Sequence, residues 1–589
     1  MTSTTDAPAA SDATSGVLTH RQILTILGGL MMGMFLAALD QTIVASAIRT
    51  IGDDLHGLSV QAWVTTAYLI TSTIATPLYG KLSDIYGRKP FFLLAITLFI
   101  IGSAASAFST SMYMLAAFRA FQGLGAGGLF SLALAIIGDI VSPRQRAKYQ
   151  GYFLAVFGTS SVLGPVVGGS FAGASSILFV SGWRWVFLVN VPIGIAALYV
   201  VWRTLNIPHT RRDHRIDWQG AVAIAVGLVP LLIIAEQGRI WGWGSDRAFA
   251  CYLIGVIGLA FFVYVESRAG DDALIPLRFF KVRTFSLTSV VGIVVGMGMF
   301  GGISVLPLYL QIVRGASPTQ SGLLLLPLTA GMMTASIVSG QLISRTGYYR
   351  PFPIIGTGLM VVGLALMHGI GAHTAFWVTA LYMVVFGFGL GNVMQPITLA
   401  VQNAMSARDI GVATSSATFF RQMGGTLGVA VFLSVLFSTV GDNIKSAFGK
   451  AAQTASFQTA IQDPNVLHDP RNAQLLKLLN SHGTVSSSAL NDTSFLKHAD
   501  RRLAEPFFVG FSQSMDTVFV IGAVVIAIGF VLMWFLPAIP LRTTSGLQSR
   551  TDDARAAASA AQPAPASAPS ASSGESAVGR PAPGAALDS

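Results

Sequence analysis

Residues 80–92, GKLSDIYGRKPFF, form a short charged break between two long apolar stretches of a 589-residue chain. A related stretch, GQLISRTGYYRPF, follows at residues 340–352, which is 260 residues later. A second set of matches repeats at an offset of 264, and it pairs Gly123, Gly125 and Gly127 with Gly387, Gly389 and Gly391. The matches keep their order and nearly constant spacing, so we interpret them as an internal duplication rather than a coincidence. Parallel repeats of this kind build two halves around a central site in many transporters.

The composition is that of a membrane protein. Hydrophobic side chains make up 52% of the chain and charged ones only 11%, whereas soluble domains carry about 25% charged residues. This excludes a water-soluble multidomain enzyme and a disordered scaffold. Because backbone polar groups must be satisfied inside lipid, long apolar segments predict helices. We predict an all-α polytopic protein whose fourteen spans lie near residues 22–48, 61–79, 91–109, 112–139, 150–172, 184–203, 218–236, 248–266, 285–311, 319–343, 352–371, 374–400, 411–438 and 515–537.

Basic residues concentrate in the loops that follow the even-numbered spans. Arg88, Arg144, Arg211 and Arg268 each belong to such a loop. Since short cytoplasmic loops are enriched in Lys and Arg, both termini are expected in the cytoplasm, and the protein is expected to be a multi-pass protein of the plasma (bacterial inner) membrane. This topology accounts for the net charge of +10, so no nucleic-acid partner is expected.

The spans and breaks divide the chain into five segments. Residues 441–512, between the last two spans, are predicted to form a polar outer insert that packs on the membrane surface, caps an exit path or acts as a tethered spacer. The Ala/Pro/Ser-rich C-terminal residues are expected to be disordered. The predicted segments are a cytoplasmic tail (1–20), an N-terminal six-helix bundle (21–205), an inserted helix pair (206–270), a C-terminal six-helix bundle with the outer insert (271–540) and a cytoplasmic tail (541–589).

Asp40 is an isolated carboxyl group deep in the first span. An ionised carboxylate at that depth costs about 2.5–3.5 kcal/mol on insertion scales, so it is expected to face a cavity or to be protonated at rest. Arg119 in the fourth span stays charged and is the candidate partner, with Gln122 three residues on along the same helical face. These three residues predict a site for proton or substrate coupling. The alternative is a purely structural carboxylate and counter-ion.

A charged loop follows the second span. Asp84 is predicted to cap a helix N-terminus and to pair with Arg88, and Asp139 offers Arg88 a second carboxylate. Such contacts would hold one conformation and break in another. The alternative is that the loop's positive charges only anchor it on the cytoplasmic side. This would explain the presence of Lys89 but not that of Asp84. The predicted latch comprises Gly80, Asp84, Gly87, Arg88, Lys89 and Asp139.

The fifth span is rich in small residues and contains a proline. Proline removes a backbone donor and small residues let another helix approach, so this span is predicted to be a bent, tightly packed hinge, or else merely a packing surface. The residues concerned are Gly151, Gly164, Pro165, Gly168 and Gly169. Other polar residues of the spans are expected to line a cavity or to satisfy the backbone near prolines, namely Asn190, Asn392, Gln395, Arg421 and Gln422.

Together these stretches resemble the major facilitator superfamily, in particular its fourteen-helix branch of drug:proton antiporters. GKLSDIYGRKP looks like the superfamily's loop motif, LAAFRAFQGLGAGG like its fourth-helix motif and GYFLAVFGTSSVLGPVVGG like the fifth-helix motif of exporters. LDQTIVASAI and WRWVFLVNVPIG are similar to motifs of the fourteen-helix branch. The resemblance implies two six-helix bundles plus two inserted helices. It also implies that Asp40 couples protons or cationic substrate, that Arg119 moves protons, and that Asp84 with Arg88 locks a conformation.

The expected function is proton-coupled export of amphipathic or lipophilic, often cationic, drugs by alternating access. Alternatives are export of a lipid, siderophore or self-made antibiotic, uptake of a nutrient, or a membrane sensor or assembly factor that has lost transport. No nucleotide-binding loop, metal-ligand cluster or nucleophile constellation is evident, so no enzyme activity, cofactor or metal is expected. The expected partners are protons, small amphipathic substrates and membrane lipids, and the protein is expected to be a monomer.

Overall fold

The computed structural model describes residues 19–56, 62–206, 216–480 and 499–545, together with residues 496, 548 and 549. These parts of the chain are almost entirely helical, with one two-stranded hairpin of β1 (Ser176–Ile177) and β2 (Val180–Ser181). The helices are α1 (His20–Asp54), α2 (Ala62–Tyr86), α3 (Arg88–Ala107), α4 (Met112–Ile140), α5 (Pro143–Gly173), α6 (Trp185–Leu188), α7 (Asn190–Thr204), α8 (Trp218–Trp241), α9 (Asp246–Ala269), α10 (Arg283–Leu308), α11 (Pro318–Leu324), α12 (Leu326–Thr346), α13 (Pro351–Met367), α14 (Phe376–Ala404), α15 (Ile410–Ala451), α16 (Ala455–Gln462), α17 (Pro464–Leu467), α18 (Ala473–Asn480) and α19 (Arg501–Met533).

Each of the fourteen predicted spans falls on helical structure. Within the described residues, twelve segments are long and apolar enough to cross a membrane. The other two positions are occupied by α2 and by the 17-residue α13. Two spans are built from consecutive pieces, since α6 and α7 form the sixth and α11 and α12 form the tenth. The chain is therefore an all-α polytopic membrane protein, as the apolar segments predicted.

The duplicated glycines occupy equivalent places in the two halves. In α4, Gly123 and Gly127 lie against backbone carbonyls of α2, and Gly125 lies against α3. In α14, Gly387 and Gly391 lie against backbone carbonyls of α12, and Gly389 lies against α13. A side chain at any of these positions would overlap a neighbouring helix. The repeat seen in the sequence therefore reflects two bundles in which one helix is wedged between two others.

The remaining helices extend the same correspondence. In the N-terminal half α1 packs on α5, and α7 packs on both α1 and α3. In the C-terminal half α10 packs on α15, and α19 packs on both α10 and α13. The halves meet along two seams, α2 with α15 and α5 with α12. Since α2 corresponds to α12 and α5 to α15, each seam is the symmetry-related copy of the other.

The inserted pair α8 and α9 lies beside only one of these seams. Its apolar side chains, including Ile224 and Leu228, form one buried cluster with Ile70 of α2 and Phe419 of α15. The pair therefore contacts both halves at the α2–α15 seam. The α5–α12 seam has no such cover among the described residues.

The outer insert is shorter than predicted. α15 continues to Ala451 and α19 begins at Arg501, so both ends of the predicted 441–512 segment belong to long helices. Within the intervening residues, the side chains of Phe457, Val466 and Leu475 are buried in the core cluster of the C-terminal half. The described part of the insert thus folds onto the ends of two spans, which excludes the tethered-spacer alternative for it.

The predicted disordered tail begins with residues that contact the bundle. The backbone N–H of Arg542 donates to Asn403 Oδ1 at 3.0 Å, and Pro540 O accepts from Asn403 Nδ2 at 3.1 Å. Asn403 lies at the end of α14. The predicted segment 541–589 is therefore anchored at its start, while residues 550–589 and the N-terminal residues 1–18 lie outside the described part of the chain.

The packing of α4 predicts the effect of one added methyl group. Gly127→Ala places a Cβ against the Ser72 carbonyl, which is backbone and cannot rotate away. We expect a loss of stability of about 1–3 kcal/mol, because overpacking forces the helices apart. Gly28→Ala is the matched control, since nothing lies within 4 Å of its added Cβ. Thermal unfolding of the two detergent-purified variants measures the difference, and equal melting temperatures would contradict this packing.

Candidate functional site

Asp40 lies near the middle of the 35-residue α1 and is completely buried. Its apolar neighbours in the helix, such as Leu39 and Ile43, belong to a buried cluster. Arg119 Nη1 on α4 donates to Asp40 Oδ2 at 2.5 Å, and the arginine side chain is itself 1% exposed. The predicted contact between the carboxylate and the guanidinium is therefore present, in the interior of the N-terminal half.

Two amide side chains complete the environment of the carboxylate. Gln122 Nε2 donates to Asp40 Oδ1 at 3.0 Å, and Gln122 Oε1 accepts from Arg119 Nη1 at 2.7 Å. Asn190 Nδ2 donates to the same Asp40 oxygen at 2.8 Å. Both carboxylate oxygens thus have donors, which offset part of the cost of burying the carboxylate.

Two further residues belong to this site, and the sequence did not point to them. Ser103 Oγ accepts from Asn190 Nδ2 at 3.0 Å and donates to Phe187 O at 2.9 Å, which fixes the amide. The guanidinium carbon of Arg119 lies 4.1 Å from the centre of the Tyr68 ring, within the range of a cation–π contact. From the sequence alone, a tyrosine or serine with such a role cannot be distinguished from one that only packs inside an apolar span.

Three buried polar atoms at the site have no hydrogen-bond partner among the described residues. They are Arg119 Nε, Tyr68 Oη and Asn190 Oδ1. Unpaired buried polar atoms are costly in a low-dielectric interior and are characteristic of functional sites. The arrangement pairs one negative and one positive charge, so the site carries no net charge while Asp40 is ionised. Protonation of Asp40 would remove the counter-ion of Arg119.

The contacts predicted for the latch are present at the end of α2. Arg88 Nε donates to Asp139 Oδ2 at 2.8 Å, and Arg88 also forms an ion pair with Asp84 and donates to Ser83 Oγ at 2.5 Å. Gly87, which precedes α3, has a φ of 105°, a backbone conformation that favours glycine. The charged loop therefore connects α2, α3 and α4 at one end of the N-terminal half.

The latch also reaches the other half of the protein. Asp84 Oδ2 accepts the backbone N–H of Val412 at 2.9 Å, in the first turn of α15. A carboxylate at a helix N-terminus is stabilised by the unsatisfied N–H groups and the helix dipole. Gly411 and Gly80 permit this close approach, because a Cβ at Gly411 would meet Arg88 and one at Gly80 would meet Ser415. The cap predicted for Asp84 thus lies on a helix of the C-terminal half.

Lys89 does not belong to the latch. Its Nζ donates to Asn206 Oδ1 at 2.7 Å, and both residues lie in the N-terminal half. This corrects the prediction that included Lys89. Lys89 follows the latch residue Arg88 in sequence, but its side chain points away from the latch and contacts the end of the sixth span.

At the symmetry-related seam of α5 with α12, the side chain that binds a helix end is positively charged, whereas Asp84 at the other seam is negatively charged. Arg144 donates to the Ser344 and Arg345 carbonyls at 3.0 and 2.9 Å, at the C-terminal end of α12. A cation at a helix C-terminus is the counterpart of a carboxylate at an N-terminus. Arg146 donates to Gly138 O at 2.6 Å and also to Gln402 of α14. We call the side of the protein that carries these loops the basic side.

The small residues of α5 pack against both halves. Gly164 and Gly168 lie against Thr42 and Ser46 of α1, while Pro165 lies beside Gly322 of α11. Thr42 Oγ1 donates to Ser160 O of α5 at 2.9 Å. α5 is one continuous helix through Pro165. The other two residues predicted for this helix also lie in it, Gly169 facing Thr319 of α11 and Gly151 near its beginning.

The five predicted cavity residues have different environments. Asn190 donates to Asp40. Asn392 Nδ2 donates to Phe388 O of its own helix at 2.8 Å, and Gln395 Oε1 is buried without a partner among the described residues. Gln422 Oε1 accepts from Thr76 Oγ1 at 3.0 Å across the α2–α15 seam. Arg421 lines a cavity between α10, α14 and α15, as predicted for it.

Comparison with known proteins assigns this architecture. A family model described as Major Facilitator Superfamily matches residues 30–429. The Multidrug transporter protein MdtP of Bacillus subtilis is 33% identical over 522 residues, which is 88% of this chain and 93% of that protein. The Tetracycline resistance determinant of Streptomyces rimosus is 39% identical over 324 residues, 54% of this chain and 91% of that protein. Among solved structures, the proton:xylose symporter XylE superposes with a TM-score of 0.56 at 15% identity, covering 90% of this chain and 99% of that one, which shows the shared fold.

The contact of Asp84 with α15 predicts how the basic side opens. Asp84→Ala removes a charge-assisted hydrogen bond between the halves, worth about 1.5–3 kcal/mol, so the population with the halves apart is expected to rise roughly ten- to a hundred-fold. A Ser415→Cys reporter, in a Cys251→Ser background, reads this out through its rate of maleimide labelling in purified protein. Lys89→Gln is the control, because that side chain bonds within one half. Equal labelling rates in all three backgrounds would show that Asp84 does not hold the halves together.

Proposed function

The chain belongs to the major facilitator superfamily, and from this we propose that it is a proton-coupled antiporter. It would export amphipathic or lipophilic, often cationic, drugs across the plasma (bacterial inner) membrane by alternating access of its two halves. Two relatives support the drug class by name, one called a multidrug transporter and the other a tetracycline resistance determinant. The chain spans most of the length of both.

The observation that carries the proposal is the buried ion pair of Asp40 and Arg119. Inside the bundle the two charges neutralise each other at 2.5 Å. A proton that reaches Asp40 breaks this balance and leaves Arg119 as an unpaired cation, a state that low-dielectric surroundings penalise. The energetic response to proton binding is therefore large enough to bias the equilibrium between two packings of the halves.

The surroundings of Asp40 link its charge to several helices. Its hydrogen-bond donors come from α4 and from the start of α7, and the contact of Asn190 with Ser103 extends the network to α3. A change in the protonation state thus alters contacts among four helices of the N-terminal half. In the proposed cycle this half moves as a unit, with the glycine-lined contact between α1 and α5 keeping it closely packed.

The proton gradient supplies sufficient energy for this cycle. One proton entering the cell gains about 2.3 kcal/mol per 100 mV of membrane potential. Each pH unit adds roughly 1.4 kcal/mol. For an uncharged drug, coupling to one proton therefore sustains gradients of tens- to hundreds-fold, whereas exchange of one proton for one monovalent cation moves no net charge and is driven by the pH difference alone, about ten-fold per pH unit.

The hydrogen bonds between the halves support one state within this cycle. Several of them, from Asp84, Arg144 and Arg146, lie on the basic side. The distribution of Lys and Arg favours a cytoplasmic position for that side. We propose that the structure is a state closed toward the cytoplasm, with the latch formed, and that export returns the protein to a state in which the latch is broken.

The test is proton movement driven by substrate. Inverted membrane vesicles with an acidified interior receive a panel of lipophilic cations and, separately, lipids, and the collapse of the pH gradient is recorded. We expect the wild-type protein to dissipate the gradient when a lipophilic cation is added and Asp40→Asn to give no dissipation. Wild-type vesicles that respond to none of these compounds would contradict the proposed function, and a response to lipids alone would replace the drug substrate by a lipid.

A second variant separates coupling from folding. Asp40→Asn leaves Arg119 buried without its counter-ion, which costs about 3–5 kcal/mol. The double variant Asp40→Asn, Arg119→Gln removes both charges and is expected to recover much of the thermal stability. It is still expected to lack proton coupling, because no group remains to bind the proton. Proton-coupled export by a stable double variant would show that the proton binds elsewhere.

A further inference from the structure

Arg421 is the arginine of the C-terminal half that lies farthest from either end of its helix. It is the twelfth residue of α15, which continues to Ala451. Its side chain is half-buried and lines a cavity between α10, α14 and α15. The cavity wall is mostly apolar, with the hydroxyl groups of Thr288 and Thr398 as its other polar groups. The guanidinium therefore provides the positive charge in a pocket between three spans.

No counter-ion for Arg421 lies in the described part of the chain. Its guanidinium has neither a hydrogen bond nor an ion pair there, and no acidic group acts on it electrostatically. From residue 283 to residue 451 the acidic residues are Asp409 and Asp442 alone. Along a helix with a rise of 1.5 Å per residue, they lie roughly 18 and 30 Å from Arg421. Neither carboxylate is therefore a partner of Arg421.

The other buried arginines show how unusual this is. Arg119 is paired with Asp40, and Arg88 is paired with Asp84 and Asp139. Arg146 donates to three oxygen atoms. Guanidinium does not lose its proton in proteins, and an uncompensated charge at this depth is costly and marks functional sites. Arg421, unlike Arg119, therefore carries a positive charge that no acidic group of the described residues balances.

The position of Arg421 connects the cavity to the seam between the halves. The next residue, Gln422, accepts a hydrogen bond from Thr76 of α2. On the opposite face, Gly292 and Gly296 of α10 lie close to the α15 backbone at residues 417–421. A group bound at Arg421 would therefore lie one residue from a contact that must change when the halves move apart.

We propose that Arg421 binds an anionic oxygen group, such as a carboxylate, of an amphipathic compound that the protein exports. This inference rests on the proposed function and adds the charge class recognised by the C-terminal half. Guanidinium is suited to this task because its N–H groups match the geometry of a carboxylate. The protein would then take zwitterions and acids as well as lipophilic cations, and for the acids it would use a contact that cations do not need.

A matched pair of dyes tests the proposal. Rhodamine B carries a free carboxylate, and its ethyl ester is a cation with the same aromatic framework. Binding of each dye to the purified full-length protein is followed by fluorescence polarisation, and export is followed in cells. We expect Arg421→Gln to weaken binding and export of rhodamine B about ten-fold and to change those of the ester less than two-fold. Arg421→Lys keeps the positive charge but lacks the planar guanidinium group. We expect this variant to retain part of the preference for rhodamine B over its ester.

Arg283→Gln is the control variant. It removes a positive charge from the exposed start of α10, outside the cavity, and we expect it to treat both dyes as the wild type does. Unchanged binding of rhodamine B by Arg421→Gln would overturn the proposal. It would also be overturned if Arg421→Gln and Arg421→Lys, with wild-type melting temperatures, lost binding of both dyes equally. If wild-type cells export neither dye, the proposed function fails, whereas the binding measurement still decides the role of Arg421.

Discussion

The contact between the Asp40 carboxylate and the Arg119 guanidinium is the interaction on which the N-terminal half depends. Neither charge is tolerable alone in an interior that is shielded from water, and together they form a pair with no net charge. Gln122 and Asn190 donate hydrogen bonds to Asp40 Oδ1, the oxygen that Arg119 does not contact. Protonation of Asp40 would leave Arg119 without its counter-ion.

The internal duplication is preserved in the packing but not in the charges. The glycines of α4 and α14 hold equivalent positions, and the two seams between the halves are related by the same symmetry. At one seam a carboxylate, Asp84, binds a helix N-terminus, and at the other a cation, Arg144, binds a helix C-terminus. Both contacts are favourable because each charge meets the helix end of opposite polarity. Both halves have the glycines because the fold requires close packing there. On the basic side, by contrast, a different charged contact joins the halves at each seam.

Much of the site was predictable because charge inside a membrane span is rare. Asp40, Arg119, Asp84, Arg88 and Asp139 stand out in an apolar sequence, and each lies in the contact that was expected of it. The contact of Asn190 with Asp40 was not predicted, no role was predicted for Tyr68, and Lys89 bonds to Asn206 instead of joining the latch. An amide, a phenol or a loop lysine has many uses in a helical bundle, and its partner depends on helix rotation and on the neighbouring helix. A single sequence does not carry that information.

The sequence by itself determined the helical membrane architecture, the two related halves and the identity of the buried charges, because each follows from local composition, periodicity or spacing along the chain. Tertiary structure decided the rest. That Asp84 caps a helix of the other half, that the inserted pair lies at only one seam, that α15 and α19 extend into the predicted insert and that Arg421 lacks a partner among the described residues all depend on distances between residues far apart in the chain. Such distances result from the packing of side chains between helices, and many different packings are compatible with the same apolar pattern.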